Sequence, residues 1–329
     1  MEQGSASTSV LVIENVDIDV TNVKGQAIKK VVHDLNLDLR AGEMLALVGE
    51  SGSGKSVTSS SILGMLSKPL RMTGGRILVN GASIGSMSEK ELRSFRGRHI
   101  GYLFQNYQGS FTPFLTIGKQ MVEIIRRHTS TTAKKAKETA MGWLERVRLP
   151  AERAFRSFPF QLSGGQLQRA SLAAALMLKP SLIIADEPTT ALDVVTGEHI
   201  LDLLRELKEE TGCAVLFISH DLSHVFKRAD RMAVMYAGHV IETGSTDCVS
   251  RAPQHPYTQL LMQARPRLTN LSERLTTIPG EPGAVSRAGC CFAPRCPYRT
   301  DRCLTVPSMN IIHHEHAVAC HERLARGEP

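Results

Sequence analysis

The chain has 329 residues, of which 42% are hydrophobic and 22% charged, and its formal net charge is +7 at pH 7. This composition excludes a mainly disordered chain, a collagen and a small disulfide-rich protein. The positive charge permits contact with anionic lipid, nucleotide or nucleic acid and does not choose among them. No apolar run approaches the roughly 18 residues that a membrane-spanning helix needs, and the first residues do not resemble a secretory signal. We therefore expect a cytoplasmic protein.

The residues before about position 80 show the patterns of short strands. Apolar and polar residues alternate at 16–20 and again at 35–39, which is the period of a half-buried strand. The apolar run Met44–Val48 predicts a buried strand, and Arg76–Val79 predicts another strand that ends in a hairpin turn at Asn80-Gly81. Together these segments predict a small antiparallel sheet beside the first strand of a parallel core.

From about residue 88 to residue 160 the patterns are helical, with helices predicted at Ile117–His128 and Thr131–Val147. Beyond this part, strands and helices alternate, which indicates a parallel α/β sheet; the predicted elements are the strands Ser181–Ala185, Ala214–Ser219 and Met232–Tyr236 and the helix Thr196–Glu210. After about residue 251 the chain is rich in Pro and Arg. We expect one α/β domain over 1–250, with a helical part at about 88–160, and a C-terminal extension over 251–329.

The strongest motif directly follows the predicted strand Met44–Val48. It fits the pattern G-x-x-x-x-G-K-[ST], and we call it the phosphate loop; its residues are Gly49, Glu50, Ser51, Gly52, Ser53, Gly54, Lys55 and Ser56, followed by Val57. The glycines let backbone N–H groups turn inward around phosphate oxygens. Lys55 supplies a charge for the β- and γ-phosphates, and the hydroxyl of Ser56 can ligate Mg²⁺. A chance match is the competing interpretation, and the position between a predicted strand and a predicted helix argues against it.

A second apolar strand ends in two carboxylates, Asp186 and Glu187. At the end of a buried strand, Asp186 can contribute to the binding of Mg²⁺, and Glu187 can polarise an attacking water. Taken alone, such a segment is more often a strand that meets its loop. The phosphate loop upstream makes catalytic carboxylates the preferred interpretation.

A third motif consists of Ser163, Gly164, Gly165 and Gln166. Alone, a serine before a helix is an N-cap. Between the phosphate loop and the two carboxylates, this motif resembles the signature of the ATP-binding cassette (ABC) family, and the resemblance covers about residues 11 to 244. It implies a P-loop NTPase fold with a RecA-like parallel core, an antiparallel β subdomain and a helical subdomain. The implied ligands are ATP and Mg²⁺, and the implied activity is ATP hydrolysis.

The resemblance assigns further positions. Gln105 matches the Q-loop and is assigned to the catalytic and Mg²⁺ sites, Asp193 matches the D-loop, and His220 matches the histidine that senses phosphate. Val20 lies where the family usually has an aromatic residue that stacks on adenine, so we expect weak discrimination between ATP and GTP.

The family also implies a partner. In it, two cassettes dimerise head to tail, so Ser163, Gly164 and Gly165 would cover the γ-phosphate held by a second cassette, identical or not. A hydroxyl, two backbone amides and a helix N-terminus are suited to bind an anion.

The C-terminal extension resembles that of oligopeptide, dipeptide and nickel importer ATPases, on the segments His255–Thr258 and Ile278–Pro282 and on its cysteines. In that subfamily four cysteines are associated with an iron–sulfur cluster, which implies a 4Fe–4S cluster here at Cys290, Cys296, Cys303 and Cys320. Two alternatives stay open. One is a structural Zn²⁺ that uses one of the nearby histidines His313, His314, His316 or His321, and the other is a set of buried thiols without metal.

The subfamily implies the ATP-hydrolysing subunit of a bacterial peptide importer, peripheral on the cytoplasmic face of the inner membrane. Its partners would be a second ATPase subunit, two permease subunits and, indirectly, a solute-binding protein. The loop Asn106–Pro113 departs from the usual subfamily pattern. In that subfamily this loop faces the permease, so the resemblance implies a permease contact here. The alternatives are an importer of nickel or another small solute, and a soluble cassette ATPase acting on nucleic acid. The short separation of Lys55 and Ser163 leaves no room for the long coiled coil of many such enzymes, so we expect no nucleic-acid partner.

Overall fold

A computed structural model describes residues 9–264, 277–281, 286, 288–313 and 315–322. These residues form twelve strands and ten α-helices. The strands are β1 (Ser9–Thr21), β2 (Ala27–Arg40), β3 (Met44–Val48), β4 (Leu70–Val79), β5 (Ala82–Ser83), β6 (Ile100–Leu103), β7 (Leu182–Asp186), β8 (Ala214–Ser219), β9 (Arg231–Tyr236), β10 (His239–Ser245), β11 (Asn310–His313) and β12 (His316–Val318). The helices are α1 (Lys55–Ile62), α2 (Glu89–Phe95), α3 (Ile117–His128), α4 (Ala133–Arg146), α5 (Ala151–Arg156), α6 (Gly164–Leu176), α7 (Val194–Thr211), α8 (Leu222–Arg228), α9 (Thr246–Arg251) and α10 (Pro256–Gln263).

The chain divides into two compact units, each built from several segments. The first unit comprises the described residues of Met1–Val12, Asp38–Glu43 and Ile77–Phe217. The second unit comprises those of Ile13–Leu37, Met44–Arg76 and Ile218–Pro329. The chain therefore passes between the units several times, and neither unit is a continuous stretch of sequence.

The second unit combines a parallel strand pair with antiparallel ones. Strand β3 pairs with β9 in parallel, with Leu45 opposite Arg231 and Val48 opposite Val234. From β9 outward, β10, β12 and β11 follow in antiparallel pairs. The last two strands belong to the C-terminal extension, so the extension continues the strand order of this unit.

The first unit contains the parallel pair β6 and β7, with Ile100 opposite Leu182 and Leu103 opposite Ala185. Strand β8 follows β7 in the order. Every residue of β7 and β8 is buried, which is typical of the inner strands of a parallel sheet covered by helices. Helices α3, α4 and α5 pack on one another, and Met121 and Trp143 are among the side chains buried there.

The predicted α/β fold class, with separate antiparallel strands and a helical segment, is confirmed. Met44–Val48, Ile117–His128 and Ala214–Ser219 have the predicted bounds. Asn80 and Gly81 have φ of 50° and 75°, as the predicted hairpin turn between β4 and β5 requires. Strands β11 and β12 were not predicted, because they are short and most side chains of β11 are exposed. Within the described residues, no helix is long and apolar enough to cross a membrane.

Candidate functional site

The phosphate loop lies in the second unit, between β3 and α1. All five residues of β3 are buried, so the loop starts from the interior. Gly49 has φ of 153°, and a Cβ on it would lie 2.1 Å from the carbonyl oxygen of Met235, so only glycine fits there. The backbone N–H of Gly238 donates to the carbonyl oxygen of Ser53 at 2.8 Å. These contacts hold the loop tightly against the turn between β9 and β10.

The start of α1 presents donors to an anion. Gly54 is the N-cap and has no side chain to cap this helix end, so the first-turn N–H groups and the helix dipole can act on a phosphate. The buried Lys55 side chain lies across the loop, and its Nζ donates to the carbonyl oxygens of Gly49 at 2.8 Å and Glu50 at 2.9 Å. The exposed loop residues, which include the predicted Mg²⁺ ligand, are Ser51, Gly52 and Ser56, and Val57 is half-buried. Amides, an ammonium group and a hydroxyl therefore share one loop.

Three predicted residues come together in the first unit. Asp186 ends β7, is buried, and accepts a hydrogen bond from the Tyr102 hydroxyl at 2.8 Å. The next residue, Glu187, has left-handed backbone with φ of 44°, a strained conformation that is common at functional sites. Its Oε2 accepts hydrogen bonds from Nε2 of Gln105 at 3.2 Å and from the hydroxyl of Thr190 at 3.1 Å. The two carboxylates thus point in defined directions, each held by residues from other segments.

The signature motif forms the start of α6 in the first unit. Ser163 is the N-cap, and its hydroxyl accepts from the N–H of Gln166 at 3.3 Å, while the Gln166 side chain accepts from the N–H of Ser163 at 3.0 Å. A Cβ on Gly164 would lie 2.4 Å from the hydroxyl of Tyr107. A Cβ on Gly165 would lie 2.7 Å from Thr196 Cγ2. Both glycines are therefore needed for close packing, and Ser163 stays exposed at the helix end.

Three other predicted residues lie at the ends of strands or helices. Asp193 is the exposed N-cap of α7, and the backbone N–H of Thr196, which donates to it at 2.9 Å, lowers the pKa of its carboxyl. Val20 is half-buried near the end of β1, and His220 is exposed between β8 and α8. Val20 and His220 belong to the second unit together with the phosphate loop, and Asp193 belongs to the first.

Sequence reasoning missed Tyr102, Thr190 and Tyr107, which contact the predicted residues. Tyr107 donates to the carbonyl oxygen of Ala191 at 3.4 Å and so also contacts the segment before Asp193. Thr190 begins the segment that ends at the D-loop residue Asp193, and neither tyrosine belongs to a predicted motif. The parallel pairing of β6 with β7 places Tyr102 opposite Ile184, close to the end of the strand that carries Asp186, and the sequence gives no signal of that pairing.

Two families match parts of this chain, and known proteins resemble it over most of its length. Residues 32–190 match the family described as ABC transporter, and residues 241–303 match the family described as oligopeptide/dipeptide transporter, C-terminal region. The chain is 42% identical over 305 residues to a putative peptide import ATP-binding protein of Brucella melitensis. This match covers 88% of this chain and 90% of the Brucella protein. This chain belongs to the ABC transporter family.

Other similarities support the same assignment. The cassette is 40% identical over 296 residues to the dipeptide transport ATP-binding protein DppD of Escherichia coli, covering 89% of this chain and 90% of DppD. It also resembles the solved structure of the ATP-binding cassette MJ0796, a dimer in a post-hydrolysis state bound to ADP and Pi. That match has a TM-score of 0.63 at 29% identity and covers 72% of this chain and 98% of MJ0796. The cassette is therefore an ABC-type ATPase, as the motifs predicted.

The structure does not support the predicted metal site in the cassette's C-terminal extension. In the part of the chain that is described, no group of three or more His, Cys, Asp or Glu side chains is arranged to hold a metal ion. The predicted cluster ligands Cys290 and Cys303 are buried, and Cys296 and Cys320 are half-buried. Burial raises the pKa of Cys320 to about 12, whereas the hydrogen bond with the neighbouring Cys291 thiol lowers the pKa of Cys290.

The histidines of the zinc alternative also have other contacts. Nε2 of His316 lies 2.8 Å from a carboxylate oxygen of the buried Glu242. Nε2 of His321 lies 3.0 Å from the carbonyl oxygen of Thr305. His314 lies outside the described residues. Cysteines and histidines that are close in the sequence therefore do not by themselves form a metal site.

Proposed function

We propose that this chain is the ATP-hydrolysing subunit of a bacterial importer of dipeptides or oligopeptides. The observation that carries the proposal is the phosphate loop, where glycine-only backbone, the start of α1 and the buried Lys55 are suited to bind the phosphates of ATP. The peptide class is supported by the match of residues 241–303 to the oligopeptide/dipeptide transporter C-terminal region and by the names of the similar proteins.

In the proposed mechanism, Lys55 and the loop amides bind the β- and γ-phosphates. Mg²⁺ would be held by Ser56, Asp186 and Gln105, whose hydroxyl, carboxylate and amide oxygens are the ligands that this hard cation prefers. Bound there, the ion would neutralise charge on the phosphate oxygens.

Glu187 is the proposed general base. Its carboxylate is held by the hydrogen bonds from Gln105 and Thr190, so it can take a proton from an attacking water in a fixed direction. His220, at the end of β8, is the proposed phosphate sensor, since an imidazole can donate a hydrogen bond to the γ-phosphate.

A second cassette completes the proposed site. Ser163 is exposed at the N-terminus of α6, where its hydroxyl, the amides of Gly164 and Gly165 and the helix dipole suit a γ-phosphate held by another subunit. Next to the D-loop residue Asp193, the side chains of Val194 and Val195 are 79% and 64% exposed. The MJ0796 structure that the chain resembles is itself a dimer.

The proposed permease surface lies around Gln105 in the first unit. The side chains of Phe104 and Phe114 are 49% and 84% exposed, and they flank the loop Asn106–Pro113. Exposed aromatic residues of this kind are enriched in protein interfaces. We place the subunit on the cytoplasmic face of the inner membrane, bound to two permease subunits, with a solute-binding protein delivering the peptide.

The test is to purify the full chain with its co-purifying partners from native membranes and to reconstitute the complex in liposomes with its solute-binding protein. Dipeptides or oligopeptides should stimulate ATP hydrolysis and be taken up, whereas nickel ions, DNA and RNA should not stimulate hydrolysis. Glu187→Gln should abolish the stimulated activity, and the control Glu145→Gln, at an exposed glutamate of α4, should retain it. Stimulation by nickel or nucleic acid, or purification without any permease, would contradict the proposal.

The cysteines of the C-terminal extension form no metal-binding group within the described residues. Iron, sulfide and zinc analysis of the anaerobically purified full chain tests whether these cysteines bind a metal. Stoichiometric iron and sulfide would mean that Cys290, Cys296, Cys303 and Cys320 bind a cluster after rearranging from the positions described above.

A further inference from the structure

The second residue of the phosphate loop, Glu50, is bound by the C-terminal extension. The guanidinium of Arg295 donates to both carboxylate oxygens of Glu50, from Nη1 to Oε2 at 2.7 Å and from Nη2 to Oε1 at 3.2 Å. The backbone N–H of Glu50 donates to the hydroxyl of Tyr257 at 2.9 Å. Tyr257 and Arg295 lie 207 and 245 positions after Glu50 in the sequence. Tyr257 therefore holds the backbone of Glu50, and Arg295 holds its side chain.

Arg295 is itself held in one orientation. Its side chain is only 2% exposed. Its Nε donates to the carbonyl oxygen of Pro279 at 2.7 Å, and its Nη1 also donates to the hydroxyl of Tyr236 at 3.4 Å. The guanidinium lies 5.8 Å from the centre of the Tyr236 ring, within the range of a cation–π contact. Because each of the three nitrogens donates a hydrogen bond, the planar group fixes where the Glu50 carboxylate lies.

Tyr257 is anchored just as firmly. Its ring is fully buried and packs on Tyr236 at 4.7 Å and on Phe292 at 5.4 Å between ring centres. Its backbone N–H donates to Nδ1 of His255 at 3.0 Å, and the N–H of His255 donates to the buried carboxylate of Glu242 at 2.9 Å. Burial raises the pKa of the Tyr257 hydroxyl, which therefore stays protonated.

The charge of Glu50 explains why this contact matters. Glu50 is the single carboxylate within residues 49–56, a segment whose other groups suit a polyphosphate. A carboxylate without a partner would repel the nucleotide, since like charges act on one another over about 10 Å at ordinary salt concentration. With 22% of its side chain exposed, Glu50 would also lack full hydration and would pull the loop toward solvent. Arg295 removes both effects.

We propose that Arg295 is a positioning residue for nucleotide binding, which neutralises Glu50 and holds the phosphate loop in its binding conformation. The inference rests on the proposed function, because it takes this loop as the nucleotide site. It makes nucleotide affinity depend on the C-terminal extension, a part of the chain that lies outside the phosphate-loop, signature and carboxylate motifs.

The experiment is a titration of the full chain with MgATP, by calorimetry, for wild type and variants. Arg295→Gln should raise the Kd about tenfold, since it leaves Glu50 charged without its partner. Adding Glu50→Gln to that variant should recover most of the loss, to within about threefold of Glu50→Gln alone, because the unpaired charge is gone. The control is Arg302→Gln, at a 69% exposed arginine of the same extension that lies 3.6 Å from Glu322. It should bind like wild type.

Steady-state ATP hydrolysis by the full importer gives an independent readout. Arg295→Gln should raise the KM for ATP by the same factor as the Kd and change kcat less than about twofold, because Arg295 contacts none of the reacting atoms. If Arg295→Gln fails to fold, Arg295→Lys replaces it. Lysine keeps the positive charge and most of the aliphatic side chain but cannot make the bidentate contact with the Glu50 carboxylate. Arg295→Lys should therefore raise the Kd for MgATP about threefold.

The outcomes separate the inference from the proposed function. If wild type does not bind MgATP, the proposed function fails. If wild type binds and Arg295→Gln, or Arg295→Lys in its place, binds equally well, only the inference fails. If Arg295→Gln binds weakly and the added Glu50→Gln recovers nothing, the loss comes from disturbed packing, and the positioning role of Arg295 is refuted.

Discussion

Replacement of the buried Glu242 by alanine should strongly destabilise the second unit. Glu242 lies on β10 and is 0% exposed. Its carboxylate accepts from the backbone N–H groups of Gln254 at 2.7 Å and His255 at 2.9 Å, and it lies 2.8 Å from Nε2 of His316. One side chain thus joins β10, the start of α10 and β12. Alanine removes the oxygens that make all three contacts and leaves the N–H groups of Gln254 and His255 without their acceptor.

The magnitude follows from these contacts. A buried donor that loses its acceptor costs about 1–3 kcal/mol. Glu242→Ala leaves the backbone N–H groups of Gln254 and His255 without their acceptor, so it should lower the free energy of unfolding by about 2–5 kcal/mol. Glu242→Gln keeps one carbonyl oxygen and should lose less, roughly 1–3 kcal/mol.

Urea unfolding followed by circular dichroism measures this loss. The matched control is Asp247→Ala, since Asp247 and its partner Arg251, 2.7 Å away, are 65% and 79% exposed. Exposed pairs contribute about 0–1 kcal/mol. Hydrogen exchange adds a local readout, because the amides of Gln254 and His255 should lose protection in Glu242→Ala while those of β7 keep it. A loss no larger than that of Asp247→Ala, or unchanged protection of the two amides, would refute the reasoning.

Three further predictions concern nucleotide chemistry. Glu187→Gln should keep ATP binding and lower turnover by at least ~10²-fold, because an amide cannot take the proton of water; a normal rate of phosphate release would exclude Glu187 as the base. Lys55→Ala should lose most of the affinity for ATP in a titration, because it removes the ammonium group from the loop; unchanged affinity would contradict the assignment. Val20→Tyr should tighten ATP binding about tenfold, because stacking on a base is worth about 1–3 kcal/mol. Strong preference of wild type for ATP over GTP, unchanged in Val20→Tyr, would mean that another group holds the base.

The sequence by itself determined the features that depend on neighbouring residues. A glycine-rich loop between a strand and a helix has its chemistry in consecutive backbone groups, so the phosphate loop was predictable from Gly49 to Ser56. The same holds for the bounds of Met44–Val48 and Ile117–His128, because hydrophobic period and run length are local properties. Asp186 and Glu187 were predictable for this reason too, as the end of one apolar strand.

Only the tertiary structure decided which distant residues act on those motifs. Tyr102 contacts Asp186, 84 positions away in the sequence, and Arg295 contacts Glu50, 245 positions away. Neither Tyr102 nor Arg295 belongs to a motif in its own segment. The same limit explains the cysteines, for which the subfamily resemblance implied a metal site that the described residues do not form. Such contacts depend on which strands pair and on how side chains pack after the chain has closed long loops. A period or a spacing along the sequence carries no record of that pairing.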